Sequence, residues 1–306
     1  MSDFNEFDKL SGFSEWALSA EKDAQRLFHG RGQCFAGFEY FTVDYFEPIL
    51  WIVLYREPGA DFWAYFCVAL QARFAEVCTA AIVQRRYEKS PSTYCLWGSI
   101  SKEIYAKEDS CRFKLDLTSK QNIGYFMDMQ PTRSWLAERA KGQRVLNLFS
   151  YTCAFSVAAE QAGAAAIVNI DTSKPALTQG RENHKLNPAV RSSELTFLSH
   201  DILKSWGRLK KLGPFDIVIC DPPSRQPGSF DALKDYRKLV RQFPALLVSG
   251  GDILVCLNAP YLGQNFLEAT MGEFCPSATF ISRLAGRADF PEADLDAALK
   301  VLHYRL

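Results

Sequence analysis

The chain has 306 residues, with 35 Lys+Arg against 35 Asp+Glu, so its formal net charge is zero. Its 48% hydrophobic and 23% charged content is that of an ordinary globular protein, which excludes a disordered, collagenous or coiled-coil chain. Zero net charge also excludes nucleic-acid binding through an overall basic surface and leaves only a local basic patch for that purpose.

Residues 1 to about 118 are rich in aromatics and carry a β-type run from Pro48 to Tyr55, a helix-like segment from Asp61 to Ala75 and a strand candidate from Ala80 to Tyr87. The stretch Ser90-Pro-Ser-Thr93 and the charged run Lys102–Asp109 read as loops. A small α+β accessory domain for substrate recognition is expected over 1–118, followed by a second domain over 119–306. From Arg144 the pattern is regular. Strand-like runs at Val145–Phe149, Ala166–Ile170, Leu195–Leu198, Phe215–Cys220 and Asp252–Leu257 alternate with helix-length segments at about 153–162, 174–186, 203–211, 231–248 and 263–272. Short continuous apolar strands separated by helices predict a parallel sheet covered on both faces. Ala278–Leu284 and Ala298–Tyr304 predict an antiparallel hairpin at its edge. The fold class is α/β, a Rossmann-like doubly wound sheet whose ligands sit at the carboxyl ends of the strands.

The nine cysteines stand singly, with no Cys-x-x-Cys pair and no histidine at zinc-ligand spacing, so they read as reduced thiols and no metal site is expected. The start Met1-Ser-Asp-Phe-Asn-Glu-Phe-Asp is unlike a signal peptide, and no apolar run is long enough to span a bilayer. A soluble cytoplasmic protein is expected.

Four strand ends carry the chemistry. The first, Val145-Leu-Asn-Leu-Phe-Ser-Tyr-Thr-Cys-Ala-Phe155, turns through small residues into a helix, where backbone N–H groups can meet a polar ligand. It contains no glycine, so the dinucleotide fingerprint is absent, and an ordinary turn with Thr152 as N-cap is the alternative. The second ends in Asp171-Thr-Ser, where a carboxylate can accept from both hydroxyls of a ribose or can cap the next helix. The third ends in Ser199-His-Asp201, a carboxylate placed either for an exocyclic amine or as a cap. The fourth, Cys220-Asp221-Pro222-Pro223-Ser224, fixes two carbonyls as rigid acceptors beside a carboxylate, because two prolines set their own backbone angles and remove two N–H donors.

Together these ends resemble class I S-adenosylmethionine (SAM)-dependent methyltransferases, and more narrowly the bacterial 23S ribosomal RNA methyltransferases of the RlmI and RlmK kind. The family's loop pattern N-x-F-[SA]-Y-T-G-x-F reads here Asn147-Leu-Phe149-Ser150-Tyr151-Thr152-Cys153-Ala-Phe155, with Cys153 in place of glycine. The upstream pattern G-x-F-x-D-x-[RQ]-x-x-R reads Gly124-Tyr-Phe126-Met-Asp128-Met-Gln130-Pro-Thr-Arg133, a complete match. The resemblance covers about 112–306, with a looser likeness around Phe28-His-Gly-Arg-Gly32, and no segment resembles a PUA or THUMP domain.

The resemblance implies that Phe126, Asp128 and Gln130 line the cofactor side of the pocket and that Arg133 fixes the segment on the sheet. It implies that Asn147, Phe149, Ser150, Tyr151 and Thr152 cradle the methionine part of SAM. Asp171 with Thr172 then takes the ribose, Asp201 the adenine amine, and Asp221, Pro222 and Pro223 the methyl acceptor. Cytosine-specific relatives carry a cysteine nucleophile where this chain has Asn258, as guanine-specific relatives do, and Cys256 lies two residues earlier. Direct transfer without a covalent intermediate is therefore expected, on a nucleobase of ribosomal RNA, with a ribosomal particle as partner. Arg225 stands where relatives place a base-stacking phenylalanine. A small-molecule or protein methyltransferase, or a non-catalytic SAM-binding protein, are the alternatives; a basic face joining Arg31, Arg85, Arg86 and Lys89 to the strand ends is what RNA requires.

Overall fold

The computed structural model describes residues 10, 12–101, 103–117, 122–189, 193–226 and 230–306, and the boundary expected at 118/119 lies outside them. The chain divides into two compact units, Met1–Met127 with Ala288–Asp294, and Asp128–Arg287 with Leu295–Leu306.

The first unit is built on a five-stranded sheet of order β1-β2-β3-β4-β5, with β1 Gln25–His29, β2 Phe41–Phe46, β3 Ile49–Leu54, β4 Ala80–Arg85 and β5 Ser92–Trp97. Every residue of β2 and β3 is buried, as their unbroken apolar runs require. Helix α1, Ala60–Phe74, makes the crossover between the parallel pair β3 and β4 and buries Phe62, Phe66, Leu70 and Phe74, one stripe at four-residue spacing. The loop expected at Lys102–Asp109 is instead strand β6, Ile104–Glu108, paired with β7, Cys111–Leu115; Lys102 itself lies outside the described residues. Its alternating burial, with Ile104, Ala106 and Glu108 inward, was hidden because one of the inward residues, Glu108, is charged like the neighbouring Glu103, Lys107 and Asp109. The run Ser90–Thr93 is likewise shortened, because β5 begins at Ser92.

Ala288–Asp294 belongs to this first unit. Asp289 accepts the backbone N–H of Arg26, whose guanidinium grips Asp44 with two bonds of 2.7 and 3.0 Å and lies 4.0 Å above the Phe290 ring. The backbone of Ala293 donates to the carbonyl of Gly32, and a Cβ on Gly32 would stand 1.8 Å from the carbonyl oxygen of Pro291, so only glycine fits there.

The second unit holds a seven-stranded sheet of order β10-β9-β8-β11-β14-β16-β15. The first five are parallel: β8 Arg144–Leu148, β9 Ala166–Asp171, β10 Glu194–Ser199, β11 Phe215–Cys220 and β14 Leu247–Leu257. Between β11 and β14 lies the two-residue ladder of β12, Arg225–Gln226, with β13, Phe230–Asp231. The expected antiparallel pair closes the edge as β15, Thr279–Arg283, and β16, Lys300–Arg305.

Six helices, α2 Gln130–Ala137, α3 Ala154–Gln161, α4 Lys174–Leu186, α5 Trp206–Leu212, α6 Ala232–Val240 and α7 Gln264–Phe274, belong to this unit. The segment expected as one helix over 231–248 is shorter: α6 ends at Val240, a 3-10 turn containing Pro244 follows, and β14 already begins at Leu247. The segment 203–211 divides into a 3-10 turn, Ile202–Lys204, and α5. Among the described residues no helix is long and apolar enough to cross a membrane.

Candidate functional site

The β8–α3 loop turns without glycine by placing Phe149, Tyr151 and Cys153 at φ of 58°, 46° and 63°. Non-glycine residues avoid this left-handed region, at about 1–2 kcal/mol each, so three of them in five residues mark a segment that its surroundings over-determine. Those surroundings are explicit. Ser150 N–H donates to Ile170 O, Tyr151 N–H to Asp171 Oδ2 at 2.9 Å, Cys153 N–H to Ser150 O, and Asn183 Nδ2 of α4 to Thr152 O at 2.9 Å. Cys153, not Thr152, is the N-cap residue of α3. Its side chain is fully buried against Gly180 of α4, where a Cβ would come within 2.5 Å of the sulfur. Burial pushes the Cys153 thiol up to about 12.

Among the described residues Asn147 Oδ1 is sealed from solvent without a hydrogen-bond partner, while the Ser150 hydroxyl, equally sealed, has the Cys153 thiol beside it as a hydrogen-bond partner. A buried acceptor left open is unusual and suits a ligand that brings its own N–H or O–H donors. Phe149 packs edge-on against Phe230 at 5.2 Å. Asp171 at the tip of β9 is half-buried and uses each oxygen once, Oδ2 on Tyr151 and Oδ1 on Ser173 N–H at 2.7 Å, so a lone pair on each remains. Thr172 beside it is exposed. Asp201 caps the 3-10 turn through Leu203 N–H at 2.9 Å and pairs with Lys204 at 3.3 Å.

At the end of β11 the chemistry differs. Asp221 keeps part of its surface, yet burial of its carboxyl pushes its pKa up to about 7; the like charge of Asp128 adds to the shift and the cation of Arg133 opposes it. Arg133 is itself 2% exposed, on α2. Gln130 opens that helix and donates to Ser134 Oγ, while Phe126, just before the turn Met127–Met129, is 42% exposed. Pro222 is buried and Pro223 half-buried; Ser224 O accepts from Ala232 N–H, and Arg225 is exposed on β12. Cys256 is buried in β14 with its thiol well above the usual range through burial, Tyr236 Oη donates to its carbonyl at 2.8 Å, and Asn258 is exposed just beyond the strand.

Behind the loop runs a group of which the motif reading included only Asn147. Asn147, Asn169, Ser156, His184 and Glu160 are all buried and linked in series. A signal was available, since an asparagine interrupts the apolar run of β8 and another that of β9 at the same height.

In the first unit, Arg31 and Arg86 share the ring of Tyr55, at 4.3 and 5.6 Å from its centroid. Arg56 lies 4.3 Å above Tyr40, whose carbonyl accepts from Tyr55 N–H. Arg85 stacks on Tyr94 at 4.7 Å and pairs with Glu88, and Lys89 is exposed beyond it.

A family model described as S-adenosylmethionine-dependent methyltransferase matches residues 25–305. The ribosomal RNA large subunit methyltransferase K/L of Shewanella sp. (strain MR-4) is 33% identical over 182 residues, which are 57% of this chain and 25% of that protein. The chain thus spans about a quarter of the length of these relatives. YwbD of Bacillus subtilis (strain 168), provisionally named a ribosomal RNA large subunit methyltransferase, is 29% identical over 288 residues, covering 87% of this chain and 70% of YwbD. A crystal structure provisionally described as a methyltransferase complexed with SAH superposes with a TM-score of 0.82 at 24% identity, over 99% of this chain and 80% of the other. A SAM-dependent methyltransferase from Agrobacterium tumefaciens gives 0.68 at 17% identity, over 94% and 91%. At these identities the two structures speak for the Rossmann-like α/β fold.

Proposed function

The chain belongs to the S-adenosylmethionine-dependent methyltransferase family, and we propose that it methylates a nucleobase of large-subunit ribosomal RNA by direct transfer. The observation that carries the cofactor half of this reading is the braced, left-handed β8–α3 loop with the sealed, open acceptor Asn147 Oδ1 beside it. Asn147, Phe149, Ser150, Tyr151 and Thr152 hold the amino-acid end of the cofactor, Asp171 with Thr172 receives ribose hydroxyls on its spare lone pairs, and Asp201 faces the base. Phe126, Asp128 and Gln130 complete that side. When bound, the cofactor supplies a methyl group already activated on a sulfonium, so the protein's work is alignment and exclusion of water, an effect of roughly 7–11 kcal/mol.

Asp221 and the carbonyls of Pro222 and Pro223 orient the acceptor base. With its pKa near 7, the Asp221 carboxylate is basic for an aspartate and accepts strongly from an N–H of the base. Covalent catalysis through Cys256 is disfavoured, since its thiol is buried and held protonated.

The RNA half rests on the relatives' names and on the arginine–tyrosine group of the first unit. Arg31 and Arg56 are exposed, each stacked on a tyrosine ring, and guanidinium planes stacked on rings suit phosphates and splayed bases. The partner is then a ribosomal particle in the cytoplasm. Mass spectrometry of large-subunit RNA from a strain without the gene should lack one methyl group, restored by the purified protein with SAM. RNA identical to the parent's would sink the RNA half. Arg31→Ala and Arg86→Ala should each reduce the slope of log affinity against log salt by about 1, uniformly across sequences.

A further inference from the structure

Glu160 and Ser156 stand one turn apart on α3, and His184 comes from α4. The bonds run Asn147 Nδ2 to Asn169 Oδ1 at 3.0 Å, Asn169 Nδ2 to Ser156 Oγ at 2.9 Å, Ser156 Oγ with His184 Nε2 at 2.9 Å, and His184 Nδ1 with Glu160 Oε2 at 2.5 Å. Read from Glu160, the chain has one direction. A carboxylate only accepts, so the proton of His184 sits on Nδ1. Burial pulls the His184 pKa down despite Glu160 beside it, so the ring is neutral and its Nε2 is an acceptor. Ser156 therefore donates its hydroxyl to Nε2 and accepts from Asn169 Nδ2. That fixes Asn169 Oδ1 toward Asn147, which must offer Nδ2. The remaining oxygen, Asn147 Oδ1, belongs to a residue 1% exposed and has no hydrogen-bond partner among the described residues.

An amide left to itself would turn either end toward the site. Here four residues prevent that. We propose that Asn169, with Ser156, His184 and Glu160 behind it, is a positioning device for the cofactor loop, holding the Asn147 amide so that Oδ1 is presented to an N–H donor of the bound cofactor, the ammonium of its amino-acid end. The proposal rests on the methyltransferase reading above and adds residues that do not touch the cofactor. A purely structural polar cluster would stabilise the fold without regard to what Asn147 meets. The difference is measurable.

Calorimetric titration of the full chain with S-adenosylhomocysteine, alongside thermal unfolding, separates the two. Asn169→Leu should weaken binding about tenfold, the worth of one hydrogen bond to a charged donor, and Ser156→Ala a few-fold. Ser156→Ala removes a single oxygen and keeps the packing, so it serves if Asn169→Leu does not fold. In an Asn147→Leu background neither change should weaken binding further, because the device acts only through Asn147. Variants that unfold earlier yet bind within twofold of the wild type would overturn the proposal, as would equal losses with and without Asn147. A wild type that binds no S-adenosylhomocysteine would instead remove the cofactor reading itself.

Discussion

The β8–α3 loop and the Asp221-Pro222-Pro223 turn leave the same edge of one parallel sheet, from neighbouring strands, yet are held in opposite ways. The loop is fixed by strain balanced against hydrogen bonds: three left-handed residues, each step tied to β9, α4 or the loop itself. The turn is fixed by prolines and holds a destabilised charge, a carboxyl taken from water beside a second carboxylate. The loop is made rigid by hydrogen bonds, one of them to the Asp171 carboxylate. The carboxyl of the turn is made basic by withholding solvent. The strand ends therefore fail differently when altered.

The largest effect is expected at the turn. Asp221→Asn should cut the rate of methyl transfer on the order of 10²-fold with cofactor affinity unchanged, measured by single-turnover transfer and titration. It should also stabilise the protein. A carboxyl whose folded pKa is raised from 3.8 to about 7 binds its proton more tightly folded than unfolded, so wild-type stability falls as pH rises between those values. The variant's thermal midpoint should exceed the wild type's by a few degrees at pH 8, and the difference should close by pH 4. Equal midpoints at pH 8 would place Asp221 in ordinary solvent.

Next comes Asp171→Ala, which removes a loop brace together with the proposed ribose acceptor. Its dissociation constant for S-adenosylhomocysteine should rise 10- to 100-fold, about 1.4–2.7 kcal/mol. Adenine alone should be affected as much as the full ligand only if the loop brace, and not the ribose, is what was lost.

The smallest effect tests the packing beneath the loop. Gly180→Ala drives a methyl onto the Cys153 sulfur and should cost about 1–3 kcal/mol in urea unfolding. Cys153→Gly in the same chain should recover most of that. Alone, Cys153→Gly should change stability by under about 1 kcal/mol, since relief of its left-handed backbone offsets the lost burial.

Much of this was legible in the sequence. The five parallel strands are continuous apolar runs because both sheet faces are covered, and the strand-end carboxylates follow from that placement. Of the two carboxylates whose spacing left ligand and cap open, Asp201 caps its turn, whereas Asp171 braces the N–H groups of Tyr151 and Ser173 and it is Ser173 that caps the next helix; a carboxylate so used still has lone pairs to offer. What the residues concealed was mostly pairing across distance. Ile104–Glu108 looked like loop because the strand is short, lies in a charged run and turns one of its charges, Glu108, inward. Cys153 looked like an impaired glycine until Gly180, in another helix, supplied the space it needs. Ser156, Glu160 and His184 are unremarkable on their own helices and acquire direction only when α3 and α4 are laid against the two asparagines.

The return of Ala288–Asp294 to the first unit has a consequence for synthesis. Residues up to Met127 leave the ribosome early, but the backbone of Arg26 waits for Asp289, and Gly32 for Pro291 and Ala293, until nearly every strand of the second sheet has been made. The unit that begins the chain is thus completed only when about 294 residues have been made, just before the last strand of the second unit. No single cleavage yields both units whole, and a chain ending before residue 288 delivers a first unit with an open seam at β1, an uncovered strand edge prone to pairing with another chain.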